Sequence, residues 1–133
     1  MKHVLVVEDD PHNVTVLRKV LEKRVGCRVT VTESADELLR IAAGGTVDLV
    51  LMDVSLRNAR HDGRSVSGVN LCRLLRQDSR CASIPIVLAT AHAMRGDAER
   101  LLAESGADSY VSKPIVDHAA FARHIRGMLE EAA

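Results

Sequence analysis

Four short apolar runs in this chain are each followed by side chains that can bind a cation or a phosphoryl group. Carboxylates follow the first and second runs, a hydroxyl follows the third and an ammonium follows the fourth. In an open parallel sheet, ligands bind outside the carboxyl ends of the strands. We therefore expect these side chains to converge on one pocket. They are Glu8, Asp9, Asp53, Thr90 and Lys113.

The acidic residues predict a metal site. Two carboxylates about 4 Å apart repel by ~4 kcal/mol at an effective dielectric of 20, so a cation must neutralise them. A site with few protein ligands, all of them oxygen, suits Mg²⁺ better than Ca²⁺ or zinc. We assign Glu8, Asp9 and Asp53 to Mg²⁺, whereas Asp10 stands before Pro11 and is expected to cap the first helix.

Asp53 is the natural nucleophile of the pocket because it stands alone after the most continuously apolar run. A carboxylate in such a place can form an aspartyl phosphate. Phosphoryl transfer asks the protein mainly for positioning and for neutralisation of the peripheral oxygens. Mg²⁺, the Lys113 ammonium and the Thr90 hydroxyl would provide both.

The elements that must position these residues alternate between short β-branched runs and longer segments of helical period. This alternation is typical of βα units and of a parallel sheet, so the fold class is α/β. Among five such β-branched runs, the one at residues 27–32 alternates apolar and polar residues and is expected at an edge, while the one at residues 48–52 is expected to be central. Strands are predicted at residues 3–7, 27–32, 48–52, 86–89 and 109–111, and helices at 11–24, 34–43, 69–76, 97–104 and 117–131.

Composition narrows the class of protein. The 133 residues, 47% of them hydrophobic, suit one domain over residues 1–133. The 18 basic and 18 acidic residues cancel, which argues against nucleic acid or an anionic membrane as the main partner. Three cysteines without C-x-x-C spacing favour neither disulfides nor zinc, and fit a reducing cytoplasm. Because no apolar stretch approaches the roughly 20 residues of a membrane span, neither an anchor nor a signal peptide is expected.

The motifs at the strand ends resemble the receiver domain of two-component response regulators. The resemblance covers essentially the whole chain, with four motifs in order and at βα spacing. It implies a flavodoxin-like, doubly wound sheet of five parallel strands in the order 2-1-3-4-5, with five helices. The motifs are Leu5-Val6-Val7-Glu8-Asp9-Asp10-Pro11, Leu51-Met52-Asp53, Leu88-Ala89-Thr90-Ala91 and Lys113-Pro114.

The resemblance also implies roles around the phosphoryl group. Asp53 matches the phosphoacceptor, which takes its phosphoryl group from a histidine kinase or a histidine phosphotransfer protein. Asp9 matches the direct Mg²⁺ ligand, and Glu8 matches the ligand that acts through water. The main-chain carbonyl of Ser55 would complete the protein ligands. Lys113 matches the lysine that pairs with the phosphoryl oxygens, and its peptide bond to the following proline is expected to be cis.

Two further residues match the switch of the family. Thr90 matches the switch hydroxyl, and Tyr110 matches the aromatic partner that turns inward when the threonine moves. The responding surface would be helix four, strand five and helix five. A downstream protein effector would bind there, and a homodimer through the same surface is a second possibility. With nothing expected after the last helix, the signal would leave through protein contact, whether the chain acts alone or is a receiver cut from a larger protein. The chain would take part in its own phosphotransfer and autodephosphorylation without acting on a metabolite.

The sequence departs from the family after the phosphoacceptor. Residues 54–67 form a connection longer than usual if Gly68 is the glycine that precedes helix three. Leu56-Arg57 also replaces a Met-Pro-like pair. Two hypotheses stand side by side: this insert tunes partner choice or phosphoryl lifetime, or it is a tolerated solvated insertion. His12 and His92 lie near the pocket in sequence, and we expect surface or supporting roles for them.

Two other functions are weighed against a receiver. A haloacid dehalogenase type phosphatase also forms an aspartyl phosphate. Such enzymes have a D-x-D motif on the first strand, whereas Asp53 of this chain follows the third. A flavodoxin-like cofactor binder should offer hydroxyls and glycines to phosphate in its first loop, where this chain has Glu8, Asp9 and Asp10.

Overall fold

A central parallel sheet organises the chain. The computed structural model describes residues 1–56, 60–61, 64–65, 67–91 and 97–131. In these residues the main sheet has five parallel strands, labelled β1 to β5 in chain order, and their spatial order is 2-1-3-4-5, as predicted. The strands are β1 His3–Val7, β2 Arg28–Thr32, β3 Leu49–Asp53, β4 Ile86–Thr90 and β5 Ser109–Ser112. The helices are α1 Pro11–Val20, α2 Ala35–Ala43, α3 Gly68–Gln77, α4 Asp97–Ser105 and α5 His118–Glu131.

The sheet separates two apolar layers. Val4 and Val6 of β1 pack with α1 and α5, whereas Leu5 and Val7 pack with α2 and α3. This division follows from the two-residue period of a strand. Every residue of β1, β3 and β4 is buried, as expected for strands covered on both faces. β2 pairs with β1 at one edge, as its alternating sequence predicts.

Side-chain caps fix where several helices begin. The Ser34 hydroxyl accepts a hydrogen bond from the amide of Glu37 at 3.2 Å, and Asp117 accepts one from the amide of Ala120 at 2.9 Å. The sequence predicts helices that begin at Ser34 and Asp117, the residues that form these caps. Ser67 caps α3 in a reciprocal arrangement with Asn70. These caps satisfy amide groups that have no partner within the helix.

The first helix differs from its prediction. It was expected to run to about Arg24, but α1 ends at Val20 and continues as a π-helical turn, Leu21–Val25. The Leu21 carbonyl accepts hydrogen bonds from the amides of Gly26 at 3.0 Å and Cys27 at 3.2 Å. Gly26 has a φ of 78°, which glycine adopts without strain. The π-helical turn therefore follows from the hydrogen bonds that Gly26 and Cys27 make to Leu21 where the helix ends.

The connection after β3 is not wholly irregular, and the expectation of a plain loop was wrong at four positions. Arg60–His61 pairs antiparallel with Arg64–Ser65. Arg57 and His92 lie outside the described residues. The interpretation of the Leu56-Arg57 pair and the role expected for His92 therefore stay predictions. Among the helices of the described residues, none combines the length and apolar character needed to cross a bilayer.

Candidate functional site

The carboxyl ends of four strands meet at one edge of the sheet. The register pairs Val7 with Met52, Asp53 with Ala89 and Thr90 with Ser112, so the residues that follow lie side by side. Backbone hydrogen bonds continue past the strand ends. They run from Glu8 N to Thr32 O at 3.2 Å, from Val54 N to Ala89 O at 3.0 Å and from Lys113 N to Thr90 O at 2.9 Å.

Three carboxylates cluster at this edge. Glu8, Asp9 and Asp53 each offer an oxygen, and these oxygens lie within 4.8 Å of one another. Glu8 is 3% exposed and Asp53 is 4% exposed, while Asp9 is half-buried. Ionised carboxylates out of water need a compensating cation. A donor set made only of oxygen fits a hard divalent ion such as Mg²⁺.

Lys113 supplies positive charge to the same cluster. Its Nζ lies 3.1 Å from Glu8 Oε1 and 3.0 Å from Asp53 Oδ1, and its side chain is 16% exposed. Burial by itself would lower the pKa of Lys113, but hydrogen bonds to Asp53 and Glu8 and their charges outweigh it and raise that pKa. The lysine is therefore charged in a site with little solvent.

The two buried carboxyl groups have different proton affinities. Burial, followed by the hydrogen bond with Asp53 and the charge of Asp53, raises the pKa of Glu8 to about 7, although Lys113 opposes the shift. Burial would also raise the pKa of Asp53, but hydrogen bonds from Glu8, Lys113 and the Ser55 amide at 3.0 Å hold it below its usual value. Asp53 is thus the group that remains ionised when Glu8 holds a proton.

Gly68, the first residue of α3, lies against the backbone of Asp53. Its amide donates to Val54 O at 3.2 Å. A Cβ atom at this position would lie 2.1 Å from the Asp53 carbonyl oxygen and 2.9 Å from the Asp53 carbonyl carbon. Glycine is therefore required for α3 to approach the strand end so closely. The start of the helix packs against the backbone of Asp53 and so fixes its position.

The remaining residues singled out in the sequence lie around this cluster. Thr90 is 1% exposed at the end of β4, and Tyr110 in β5 is 36% exposed. Ser55 is exposed and contacts Asp53 through its amide. The Lys113-Pro114 peptide bond is cis, as the resemblance implies. Asp10 lies outside the carboxylate cluster and caps α1 through the amide of His12 at 2.9 Å, as predicted.

A cavity of about 100 Å³ lies beside the cluster, between α1 and the start of α5. Glu8 and Lys113 form part of its wall, together with apolar side chains. His12, noted in the sequence, lines it, and so does His118, for which no local pattern indicated a place near the site. The residues with charged, polar or imidazole groups are Glu8, His12, Asn13, Lys113 and His118.

This fold and this site define a class of protein. Residues 4–126 match the response regulator receiver domain, and the chain belongs to this family. The match supports the receiver prediction over the haloacid dehalogenase and flavodoxin alternatives.

Individual relatives agree with the family. The chain is 36% identical over 114 residues to the polar-differentiation response regulator DivK of Brucella ovis, covering 86% of this chain and 85% of the relative. The receiver domain of sensor histidine kinase PA1611 from Pseudomonas aeruginosa, with a magnesium ion coordinated in its active site cleft, superposes with a TM-score of 0.80 at 29% identity, covering 97% of this chain and 98% of that one. A response regulator structure from Chloroflexus aurantiacus superposes with a TM-score of 0.82 at 26% identity, and the match covers 97% of this chain and 98% of that one.

Proposed function

We propose that this chain is the phosphoacceptor of a two-component or phosphorelay pathway and that Asp53 carries the phosphoryl group. The observation that supports this role is the buried Asp53 carboxylate, 3.0 Å from Lys113 Nζ within the acidic cluster. A carboxylate oxygen of Asp53 would attack phosphorus as the phosphorus–nitrogen bond to a donor histidine breaks, and the electron pair leaves with the imidazole. The donor would be a histidine kinase or a histidine phosphotransfer protein.

The donor set suits Mg²⁺. Asp9 and Asp53 would bind it directly, Glu8 through water and Ser55 through its main-chain carbonyl. Bound Mg²⁺ would supply positive charge to the peripheral oxygens of the transferring group. Two observations support this assignment: the oxygens of three carboxylates within 4.8 Å of one another, and the magnesium ion in the PA1611 receiver domain.

Lys113 would neutralise the product. Its ammonium lies between Glu8 and Asp53 and can turn to a phosphoryl oxygen once Asp53 is modified. Attack of water on phosphorus would later release phosphate and restore the Asp53 carboxylate. The chain would thus take part in its own phosphotransfer and autodephosphorylation.

Thr90 and Tyr110 would convert the phosphoryl group into a change of surface. A hydroxyl gains a contact with the phosphoryl group in one conformation only, which is the differential interaction that a population shift needs. The exposed Tyr110 would then turn inward, and α4, β5 and α5 would bind a downstream protein effector or a second copy of the chain. We assign residues 1–133 to this one receiver module, place it in the cytoplasm and expect no direct contact with nucleic acid or membrane.

A phosphorylation assay tests this function. The protein is incubated with acetyl phosphate, with and without Mg²⁺, and its intact mass is followed. We expect an adduct that needs Mg²⁺, survives acid and is lost in base. It should form on the wild type and on Asp10→Asn, which keeps a cap for α1, but not on Asp53→Asn. An adduct that persists in Asp53→Asn, or that forms equally without Mg²⁺, would overturn the proposal.

A further inference from the structure

Two arginines of α3 hold the C-terminal end of α4. Arg73 Nε donates to the carbonyl of Glu104 at 2.6 Å, and Arg76 Nε donates to the carbonyl of Gly106 at 2.9 Å. The last carbonyls of a helix have no partner within the helix and carry partial negative charge. A guanidinium group is therefore a strong and directional donor at this place.

Arg76 ties the end of α4 to the sheet as well. Its Nη1 donates to the carbonyls of Ala82 at 2.8 Å and Ile84 at 2.7 Å, and its Nη2 lies 2.7 Å from Asp108 Oδ2. The same Asp108 oxygen accepts from the amide of Ile86, the first residue of β4, at 2.8 Å. The side chain of Arg76 is 22% exposed, so these bonds are partly shielded from water.

Apolar side chains contribute to the packing of the N-terminal half of α4. Asp97 begins the helix seven residues after Thr90, so this half follows the switch residue along the chain. Ala98 is 2% exposed, and Leu101, at the middle of the helix, packs against the apolar layer shared with α2 and α3. Apolar contacts are non-directional and tolerate a small displacement, whereas hydrogen bonds weaken steeply as their geometry is lost.

We propose that Arg73 and Arg76 are positioning residues that fix the C-terminal end of α4. Any movement of α4 that follows phosphorylation of Asp53 is then a tilt of its N-terminal half about residues 105–106. The surface that reports phosphorylation lies at the start of α4 and around Tyr110, and the junction of α3 with the end of α4 keeps one shape in both states. The tilt rests on the proposed function, whereas the anchoring does not.

Amide hydrogen exchange of three variants tests the anchoring in the unmodified protein. Arg73→Met keeps the apolar stem but loses the donor, and Arg73 is exposed, so the fold should be retained. Arg40→Met is the matched control, because Arg40 is an exposed arginine in the last turn of α2. We expect amides 105–108 to exchange about tenfold faster in Arg73→Met than in the wild type or the control. Arg76→Lys, which loses the fork of donors but keeps the charge, should accelerate them further.

The same measurement with acetyl phosphate and Mg²⁺ tests the tilt. In the wild type, phosphorylation should change exchange at residues 97–101 and leave 105–108 unchanged, and in Arg73→Met the change should extend to 105–108. Equal exchange of the two methionine variants would overturn the anchoring. A wild-type response as large at 105–108 as at 97–101 would overturn the tilt. If intact mass shows no adduct, the proposed function fails, and the unmodified arm still decides the anchoring.

Discussion

Replacing Gly68 by alanine should displace Asp53, the proposed phosphoacceptor, without changing its side chain. The new Cβ would lie 2.1 Å from the Asp53 carbonyl oxygen, and non-bonded heavy atoms prefer a separation of about 3.5 Å. The start of α3 and the end of β3 must therefore separate by at least about 1 Å. Overpacking of this kind costs about 1–3 kcal/mol of folding free energy. A misplacement of about 1 Å can lower the rate of a positioned reaction by up to ~10²-fold.

Gly127→Ala is the matched control. Gly127 lies within α5, and a Cβ there would meet nothing within 4 Å. Alanine in a helix interior is favoured over glycine by roughly 0.5–1 kcal/mol. The same chemical change should therefore raise the free energy of unfolding at Gly127 and lower it at Gly68.

Urea unfolding and the initial rate of Mg²⁺-dependent phosphorylation by acetyl phosphate provide the two readouts. For Gly68→Ala we expect a loss of about 2 kcal/mol in the free energy of unfolding and a rate lower by ~10-fold or more. For Gly127→Ala we expect higher stability and an unchanged rate. If Gly68→Ala had wild-type stability and a rate within about twofold of wild type, α3 would not fix Asp53 in the way described.

Three more predictions concern titration and reactivity. Because the folded protein raises the pKa of Glu8 from 4.5 to about 7, it binds a proton that the unfolded chain releases. Without Mg²⁺, the free energy of unfolding should thus fall as pH rises from 4.5 to about 7, and rising urea midpoints would contradict this. The hydrogen bond with Glu8 and then Lys113 keep the pKa of Asp53 low, and Lys113→Met removes the cation of this group. In the same assay without Mg²⁺, the free energy of unfolding of Lys113→Met should be lower than that of the wild type by about 2 kcal/mol or more at pH 8 and by less at pH 5. Burial raises the pKa of Cys27 to about 11 and of Cys72 to about 12, so labelling by a thiol reagent at pH 8 should be at least ~100-fold slower in folded than in unfolded protein, and rapid native labelling would contradict it.

The parts of the site that could be predicted depend on one geometric rule. Parallel strands end at the same edge of a sheet, so residues placed just after apolar runs converge whatever their separation in sequence. This rule predicted that Glu8, Asp9 and Asp53 lie close together, and the structure places their oxygens within 4.8 Å of one another. Caps such as Ser34 and Asp117 were equally readable because their partners lie three residues away.

Contacts that depend on tertiary geometry could not be predicted from the local sequence in this way. The Lys113–Glu8 ion pair joins residues 105 positions apart, and the strand-end rule places both in the pocket without indicating that they pair with each other. Arg76 reaches Asp108 across 32 positions, and the local sequence of α3 does not indicate this pairing. The π-helical turn after α1 was missed because it depends on how Leu21 meets the amides of Gly26 and Cys27. Such features follow from the assembled fold and have no local periodicity.

The separation of the apolar side chains into two layers has a consequence for how this protein can evolve. Leu129 packs in the layer with α1 and α5, and Leu71 packs in the layer with α2 and α3. Substitutions that share no partner usually have additive effects on stability. Mutational drift on one side of the sheet therefore constrains drift on the other side only weakly. One helical face can acquire a new partner while the other retains its ancestral one.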